Sequence, residues 1–168
     1  YDKPYINRGN IKQSLGDYQG AISDYSKAIK INPKRQDTFY NRGLAKYALK
    51  KFKEAINDYT EAIKINPSYF EAYTDRGNSK FGFADFKGAL SDYSKAIKIN
   101  PEYDMAYNNR AYVKYVLENF RGAISDYTKA IKINPKEKKY YLFNADAKVI
   151  IGNRKGACLD LKKASSLG

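Results

Sequence analysis

Apolar and polar residues recur along this chain in a pattern that repeats every 34 residues. The stretch A-I-S-D-Y-S-K-A-I-K-I-N-P at residues 21–33 returns, with small changes, at residues 55–67, 89–101 and 123–135. A weaker copy, A-C-L-D-L-K-K-A-S-S-L-G, begins at residue 157. A fixed period of about 20 to 50 residues is typical of repeat proteins, in which each unit packs against its neighbours. The pattern therefore predicts five stacked repeats.

The apolar positions of each repeat fall into two groups, each with helical spacing. The first half has an aromatic residue at position 4, a small residue at position 8 and an apolar residue at position 14, when position 1 is Asp2, Gln36, Phe70, Asp104 or Lys138. In the second half, positions 20, 21, 24, 27 and 28 form the apolar stripe of an amphipathic helix. The pattern predicts ten helices in five antiparallel pairs and an all-α fold.

Polar residues predict where these helices begin and end. A short turn, L-G-D-Y at residues 15–18 of the first repeat, separates the two halves. Asp17, Asp85, Asn119 and Asn153 occupy the N-cap position of the second helix, where a side-chain oxygen accepts a hydrogen bond from the backbone. An Asn-Pro pair at positions 31 and 32 ends the second helix, because the residue before a proline disfavours the α conformation.

These positions together resemble the tetratricopeptide repeat. The resemblance covers nearly the whole chain and implies a right-handed α-solenoid of five helix-turn-helix repeats. We expect the repeats at residues 2–35, 36–69, 70–103, 104–137 and 138–168, in a single array. Tyr1 stands where position 34 of a preceding repeat would lie, so we expect the chain to be a fragment of a longer protein.

Two positions depart from the family pattern. Position 7 is arginine instead of leucine in four repeats and Asn144 in the fifth, and position 11 is lysine instead of tyrosine throughout. These like charges lie one helical turn apart, and an aspartate at position 23 of the second helix, in the same or the preceding repeat, can bridge them. We expect an ionic layer that fixes the register of the helices, with ligand binding by the arginines as the alternative. Its predicted members are Arg8, Lys12, Asp24, Arg42, Lys46, Asp58, Arg76, Lys80, Asp92, Arg110, Lys114 and Asp126.

The resemblance also implies a concave groove lined by the first helices, through positions 2, 5, 6, 9, 12 and 13. These positions vary between repeats, and they mix asparagines, which can pair with a peptide backbone, with aromatic residues. The residues predicted to bind a partner are Asn7, Asn10, Tyr40, Asn41, Leu44, Tyr47, Thr74, Asp75, Asn78, Asn108, Asn109, Tyr112 and Tyr115. The same positions include Ile6, Gln13, Phe81, Leu142, Phe143, Asp146 and Val149. Alternatively, the aromatic residues pack between neighbouring first helices.

Composition narrows the classes of function. The chain has no histidine and a single cysteine, Cys158, so a disulfide framework is excluded and the usual zinc ligands are lacking. We expect no metal, no cofactor and no enzymatic activity. Cys158 stands at position 21, which is isoleucine or leucine elsewhere, so we predict that it is a core residue. Because no apolar run approaches about 18 residues and no signal segment is recognisable, we expect a soluble protein without membrane contact, in an unassigned compartment.

The formal net charge is +13. Much of it comes from lysines at positions 26 and 29, on the outward side of the second helix, where they complement the helix dipole. They are Lys27, Lys30, Lys64, Lys95, Lys98, Lys129 and Lys132. A solvated surface explains them most simply. Binding of nucleic acid or another polyanion to this convex face is the alternative.

The leading hypothesis is a non-catalytic protein–protein interaction scaffold that binds a peptide segment or helix of a partner in its concave groove. The family's clamp for chaperone tails needs cations at positions 5 and 9 of successive repeats. This chain lacks them, so that role is not expected. Self-association through the uncapped first repeat is a further alternative, since an apolar face there can stack on a second copy.

Overall fold

The structure is a computed structural model that describes all 168 residues. It contains ten α-helices and no strand: α1 (Lys3–Ser14), α2 (Tyr18–Ile31), α3 (Gln36–Ala48), α4 (Phe52–Ile65), α5 (Phe70–Gly82), α6 (Phe86–Ile99), α7 (Asp104–Val116), α8 (Phe120–Ile133), α9 (Lys138–Ile150) and α10 (Arg154–Ser165). Odd-numbered helices are the first, and even-numbered helices the second, of each repeat. The predicted all-α fold is confirmed.

The residues form two compact units, Tyr1–Asp92 and Tyr93–Gly168, with the boundary inside α6. In unit 1, α1 packs on α2, α2 on α3, α3 on α4, and α4 on α5. In unit 2, α7 packs on α8, α8 on α9, and α9 on α10. Each of these helices therefore contacts the next one along the chain, as expected for stacked repeats. Whether all five repeats form a single array stays a prediction.

The core combines small residues with one large ring from each second helix. Tyr25, Tyr59 and Tyr127 are almost completely buried, as are the alanines at positions 20 and 27. The ring of Tyr59 lies so close to Gly43 that a Cβ on that glycine would come within 2.7 Å of it. Glycine at position 8 therefore lets the two helices of a repeat approach closely.

The second helices begin and end at the predicted residues wherever the sequence predicts an N-cap or an Asn-Pro pair. The side chain of Asp17 accepts a hydrogen bond of 2.8 Å from the backbone N–H of Gly20, and Asn119 accepts one of 3.0 Å from Gly122. Asp85 and Asn153 cap α6 and α10 in the same way. The residue before proline leaves the helical region, with φ −136° and ψ 89° at Asn32, so α2 ends there.

The turn inside each repeat contains a residue with positive φ. It is Gly16 or Gly152 in two repeats, but Lys50, Ala84 and Glu118 adopt φ values of 57°, 62° and 59°. A side chain in this left-handed region is strained, because its Cβ crowds the backbone. The turns of the middle repeats therefore carry local strain that the helix pairs on either side hold in place.

The prediction that Cys158 is a core residue is wrong, because its side chain is exposed. At the same position, Ile22 packs against a cluster that includes Ala45 of the following repeat. The structure shows α10 packed on α9, and Leu161 on the same helix is also exposed. The exposure of Cys158 therefore reflects which face of α10 is covered rather than the nature of its side chain.

No helix has the length and apolar character needed to cross a membrane.

Candidate functional site

Each aspartate of the ionic layer lies between the arginine and the lysine of its own repeat. In the second repeat, Nε and Nη2 of Arg42 donate to the two carboxylate oxygens of Asp58 at 2.9 and 2.6 Å. Lys46 Nζ lies 2.7 Å from the same carboxylate. The structure brings the other predicted members together in the same way, as Arg8–Asp24–Lys12, Arg76–Asp92–Lys80 and Arg110–Asp126–Lys114.

The aspartates of the ionic layer are buried, and both this burial and their cationic partners affect their pKa values. The four aspartates are between 1% and 4% exposed. The guanidinium of Arg8, hydrogen-bonded to Asp24, holds the pKa of that carboxyl well below its usual value, against the opposing effect of burial. In the fifth repeat Asn144 replaces the arginine and donates to Asp160 at 2.9 Å, while Lys148 lies 2.6 Å from that carboxylate.

Two further contacts of the arginines were not foreseen from the sequence. Arg42 Nη1 donates to the hydroxyl of Ser26, in the preceding repeat, at 3.0 Å. Its guanidinium carbon also lies 5.7 Å from the ring centroid of Phe39, an i, i+3 neighbour on the same helix. Arg76 makes the corresponding contacts with Thr60 and Tyr73. The sequence indicates this stacking of guanidinium on ring, because an aromatic residue stands three positions before each arginine. The N–H donors of Arg42 and Arg76 are hydrogen-bonded, and one face of each guanidinium lies on an aromatic ring. These two arginines are therefore better suited to a structural role than to ligand binding.

Amide side chains line a cleft in unit 1, formed by α1, α2 and α3. Its volume is about 480 Å³, and its walls are Asn10, Gln13, Ser14, Tyr18, Tyr25 and Asn41. The hydroxyl of Tyr25 lies 2.8 Å from Asn10 Oδ1 and 3.1 Å from Gln13 Oε1. Burial raises the pKa of Tyr25 to about 12, so at neutral pH the hydroxyl keeps its proton and donates.

The orientation of these amides decides what the cleft can bind. The Tyr25 hydroxyl has one proton, and the shorter distance assigns it to Asn10 Oδ1, so the NH₂ group of Asn10 is directed away from Tyr25 and can donate to a bound chain. Asn41 Nδ2 also donates to Asn10 Oδ1, at 3.3 Å, and thereby links α3 to α1. Asn7 lies exposed on the same helix as Asn10. The result is a group of amide side chains next to the surface, in which Asn10 is held in one orientation.

The corresponding region between α3 and α5 is bonded internally. Tyr40 donates to Asp75 Oδ2 at 2.6 Å, and Asn78 donates to Asp75 Oδ1 at 3.1 Å. Burial raises the pKa of Asp75, although these two hydrogen bonds oppose the rise. The hydroxyl of Tyr59 is buried there without a hydrogen-bond partner, because Leu44 stands where the first repeat has Asn10. Because its polar groups bond to one another, this region has less hydrogen-bonding capacity for a partner than the amide cleft has.

Thr74 does not belong to the predicted binding face. It is 1% exposed, and its hydroxyl donates to the backbone oxygen of Phe70 at 3.1 Å. Serine and threonine side chains within helices commonly turn back to the preceding turn in this way. The longer side chain of Tyr40, at the same position, reaches Asp75 instead. The prediction that Thr74 contacts a partner is therefore wrong.

The aromatic residues at position 12 contact the second helix of their own repeat. The ring centroids are 5.6 Å apart for Tyr47–Phe52, 5.6 Å for Phe81–Phe86 and 5.3 Å for Tyr115–Phe120. These contacts differ from the alternative prediction of packing between first helices. Tyr47 nevertheless keeps 39% of its surface exposed, so it can serve both packing and binding.

Unit 2 contains a smaller cavity with aromatic walls. Its volume is about 100 Å³, and it is lined by Tyr112, Tyr115, Tyr127, Phe143 and Asp146. Tyr112 and Tyr115 are on α7, Phe143 and Asp146 are on α9, and Tyr127 is on α8. Two further predicted residues lie nearby along α7, where Asn108 donates to Asn109 Oδ1 at 3.0 Å. Sequence reasoning placed four of the five lining residues on one face but did not identify their combination.

The lysines at positions 26 and 29 are all exposed. They lie on α2, α4, α6 and α8, the second helices of their repeats. The binding face predicted from the sequence belongs to the first helices, so these lysines and the variable residues occupy different elements.

Helix pairs with nearly constant packing positions and one variable face define a class of repeat proteins that serve as scaffolds for interactions with other proteins. This chain belongs to the tetratricopeptide repeat family. The model described as tetratricopeptide repeat matches residues 37–69 and 105–137, and the model described as TPR repeat matches residues 9–50. Together these matches cover more than half of the chain. Proteins built from this repeat are generally non-catalytic scaffolds for protein–protein interaction.

Solved structures of similar fold support this assignment. The crystal structure of MamA is 26% identical in sequence, with a TM-score of 0.88, and the match covers 99% of this chain and 91% of that chain. YrrB, a TPR protein with an unusual peptide-binding site, is 20% identical, with a TM-score of 0.77 and coverage of 98% and 84%. The first TPR of Spaghetti (RPAP3), bound to the HSP90 peptide SRMEEVD, is 29% identical, with a TM-score of 0.68 and coverage of 70% and 93%. No curated protein matches the sequence.

Proposed function

We propose that this chain is a non-catalytic interaction module that binds an extended segment of a partner protein on the face formed by its first helices. The observation that carries the proposal is the amide cleft of unit 1. Its volume of about 480 Å³ lies within the usual range for ligand clefts, but its walls are polar. Amide groups, which carry both a donor and an acceptor, match the alternating N–H and C=O groups of a peptide backbone.

Two of the similar structures support a peptide as the ligand. The Spaghetti TPR was solved with a bound HSP90 peptide, and YrrB has an unusual peptide-binding site. The chaperone-tail clamp does not transfer to this chain, because positions 5 and 9 supply no run of cations. The peptide would instead be held by the amides of Asn10, Gln13 and Asn41. A single extended segment buries little surface, so we expect micromolar affinity.

Selection from a random displayed peptide library against the full chain tests this proposal. Selected peptides would then be titrated against wild type, Asn10→Ala and Asn41→Ala. Each substitution removes hydrogen bonds worth about 1 kcal/mol, so we expect roughly five- to tenfold weaker binding. Asn57→Ala is the matched control, because Asn57 is an exposed asparagine on α4, away from the cleft. Thermal unfolding of each variant shows whether the fold is retained.

Two outcomes would contradict the proposal. One is a library that yields no binder to the folded chain, and the other is a set of peptides whose affinity is unchanged in both cleft variants.

The exposed lysines of the second helices keep polyanion binding as the second candidate. A protein that neutralises several phosphates loses affinity steeply as salt rises, with a slope near −0.7 to −0.9 per phosphate on logarithmic axes. We expect the selected peptides to show weak salt dependence, and a single-stranded oligonucleotide to bind only at low salt. A steep salt slope together with tight oligonucleotide binding at physiological salt would favour the lysine face instead. Self-association through the first repeat stays a prediction that sedimentation at several concentrations can test.

A further inference from the structure

The aromatic cavity of unit 2 is closed on several sides by rings at different angles. Tyr127 is 1% exposed, while Tyr112 and Phe143 are 44% and 39% exposed. The ring centroid of Phe143 lies 5.9 Å from that of Tyr127, with 33° between the planes, and 6.4 Å from that of Tyr112, with 45° between the planes. A group entering between Tyr112 and Phe143 would therefore meet ring surface at the sides and at the bottom.

Asp146 gives this cavity a negative charge. The hydroxyl of Tyr115 lies 3.4 Å from Asp146 Oδ2, which is longer than a strong O–H···O hydrogen bond. The carboxylate therefore keeps capacity to bind another group. Burial raises the pKa of Tyr115 and of Tyr127, and the charge of Asp146 adds to both shifts, so the two hydroxyls are neutral at physiological pH.

Four rings and one carboxylate form the kind of surface that attracts cations. The face of an aromatic ring is electronegative, and a cation within about 6 Å of a ring centroid gains roughly 0.5 to 2 kcal/mol. The cavity volume of about 100 Å³ is well below the range of about 300 to 1,000 Å³ that drug-sized ligands occupy, so it fits a single head group. An ammonium is compact, whereas a guanidinium is planar and favours parallel stacking or a two-oxygen fork.

We propose that this cavity binds the ammonium head of a lysine side chain in the partner segment, with Asp146 as its counter-charge. The proposal deepens the proposed function and rests on it, since it assigns one side chain of the peptide that the first-helix face binds.

The positive net charge of the chain does not oppose this binding locally. Lys114 and Lys148 are the lysines nearest along α7 and α9 to the residues of the cavity. They lie 2.7 Å from Asp126 and 2.6 Å from Asp160, in the ionic layer. With these charges paired, Asp146 is the charged residue among those that line the cavity.

The second and third repeats provide an internal comparison for this cavity. The positions of Tyr112, Phe143 and Asp146 are occupied by Leu44, Asp75 and Asn78 in the second and third repeats. There, Asp75 is engaged by Tyr40 at 2.6 Å, and no ring stands in the place of Phe143. Tyr112→Leu and Asp146→Asn therefore introduce residues that already fold at the same positions of other repeats. Phe83→Leu is the control, because Phe83 is an exposed ring outside the cavity, at a position that is leucine in three other repeats.

The test uses NMR of the full chain with labelled aromatic side chains. N-acetyl-lysine methylamide is titrated, alongside the norleucine analogue (which has a similar alkyl chain and no charge), the arginine analogue and the trimethyl-lysine analogue. We expect saturable shifts of the Tyr112 and Phe143 ring signals with the lysine probe, and at least about tenfold weaker binding of norleucine. Tyr112→Leu and Asp146→Asn should each weaken binding of the lysine probe about tenfold, while Phe83→Leu leaves it unchanged.

The remaining outcomes decide the details. Tighter binding of trimethyl-lysine supports an alkylammonium site and identifies the methylated form as the preferred source. Equal binding of norleucine, tighter binding of arginine, or equal binding to Tyr112→Leu would overturn the proposal. Because these probes are single residues, they report on the cavity separately from the amide cleft. If they fail while library peptides still depend on Asn10 and Asn41, only the lysine assignment is lost.

Discussion

Asp75 carries its charge in surroundings that disfavour it. Its carboxylate lies between α3 and α5, where Tyr40 and Asn78 donate hydrogen bonds to it. Burial is the largest influence and raises the pKa of the group above its ordinary value of 3.8. The folded state therefore prefers the protonated form more than the unfolded chain does, and the charge costs stability at pH values above the folded pKa. Asn7, Asn41 and Asn109 occupy the same position in other repeats.

We expect Asp75→Asn to raise the free energy of unfolding at neutral pH, because an amide has no charge to bury and can still accept from Tyr40. The gain should shrink as pH falls through the raised pKa of Asp75 towards 3.8, because the wild-type carboxyl then also becomes neutral. Urea unfolding at a series of pH values measures the difference. Glu102→Gln is the control, because Glu102 is exposed. If the variant is less stable than wild type at neutral pH, or if the gain in unfolding free energy does not depend on pH, this account of Asp75 is contradicted.

The ionic layer acts between elements, because three of its four arginines join three helices. Arg42 on α3 forms a fork with Asp58 on α4, and it also donates to Ser26 on α2 of the preceding repeat. A well-packed apolar layer can stabilise a fold as well as buried ion pairs do, so stability alone does not explain these residues. We propose that the layer fixes the register of adjacent helices, because its hydrogen bonds are satisfied in one arrangement.

Removing one aspartate should cost more where its partners are more enclosed. Arg42 and Lys46 are 18% and 12% exposed, whereas Arg8 and Lys12 are 54% and 33% exposed. Breaking a buried pair leaves a charge uncompensated and costs about 3 to 5 kcal/mol, so we expect about 2 to 4 kcal/mol for Asp58→Asn in this partly exposed site. Asp24→Asn should cost clearly less, since water solvates the cations that it leaves. Urea unfolding of the two variants, compared at one pH, gives both numbers. Equal costs would show that enclosure does not control the layer.

Most of the helices could be predicted from the sequence, because their signals are local. Asn119 and Asn32 mark a beginning and an end through hydrogen bonding and backbone preference within a few residues. Cys158 and Thr74 could not be placed correctly, because their exposure depends on which helix lies opposite. The arginine–aspartate pairs were foreseeable from charge and spacing. The three-residue spacing of Phe39 and Arg42 also indicates their stacking, although the charge pattern alone does not.

The binding face is harder to predict, because it depends on side chains that meet from different repeats. The register of the repeat places Tyr112 on α7 and Phe143 on α9 along one face. It does not reveal that their rings lie 6.4 Å apart or that Asp146 is beside them. In the same way, the sequence predicts the asparagines of the first two repeats as residues that bind a partner. The role of Tyr25 in orienting the amide of Asn10 depends on the packing of α1 on α2.

At the scale of the whole chain, the constant packing positions and the variable positions lie mostly on different helices. The second helices repeat almost unchanged, bury their tyrosines and expose their lysines. The first helices carry the residues that differ between repeats, including the amide cleft of unit 1 and the aromatic cavity of unit 2. We infer that packing constrains one set of positions and leaves the other free to differ. Our central claim is that a partner binds to the first helices.

Mapping a selected peptide onto the labelled chain by NMR tests this claim most directly. We predict that side-chain amide signals of Asn10, Gln13 and Asn41 shift on titration, together with backbone signals of α1 and α3. Signals of the lysine-rich ends of α2 and α4 should stay in place, with Lys30 and Lys64 as reporters. Shifts concentrated at those lysines, with the amide signals of the cleft unchanged, would contradict the account.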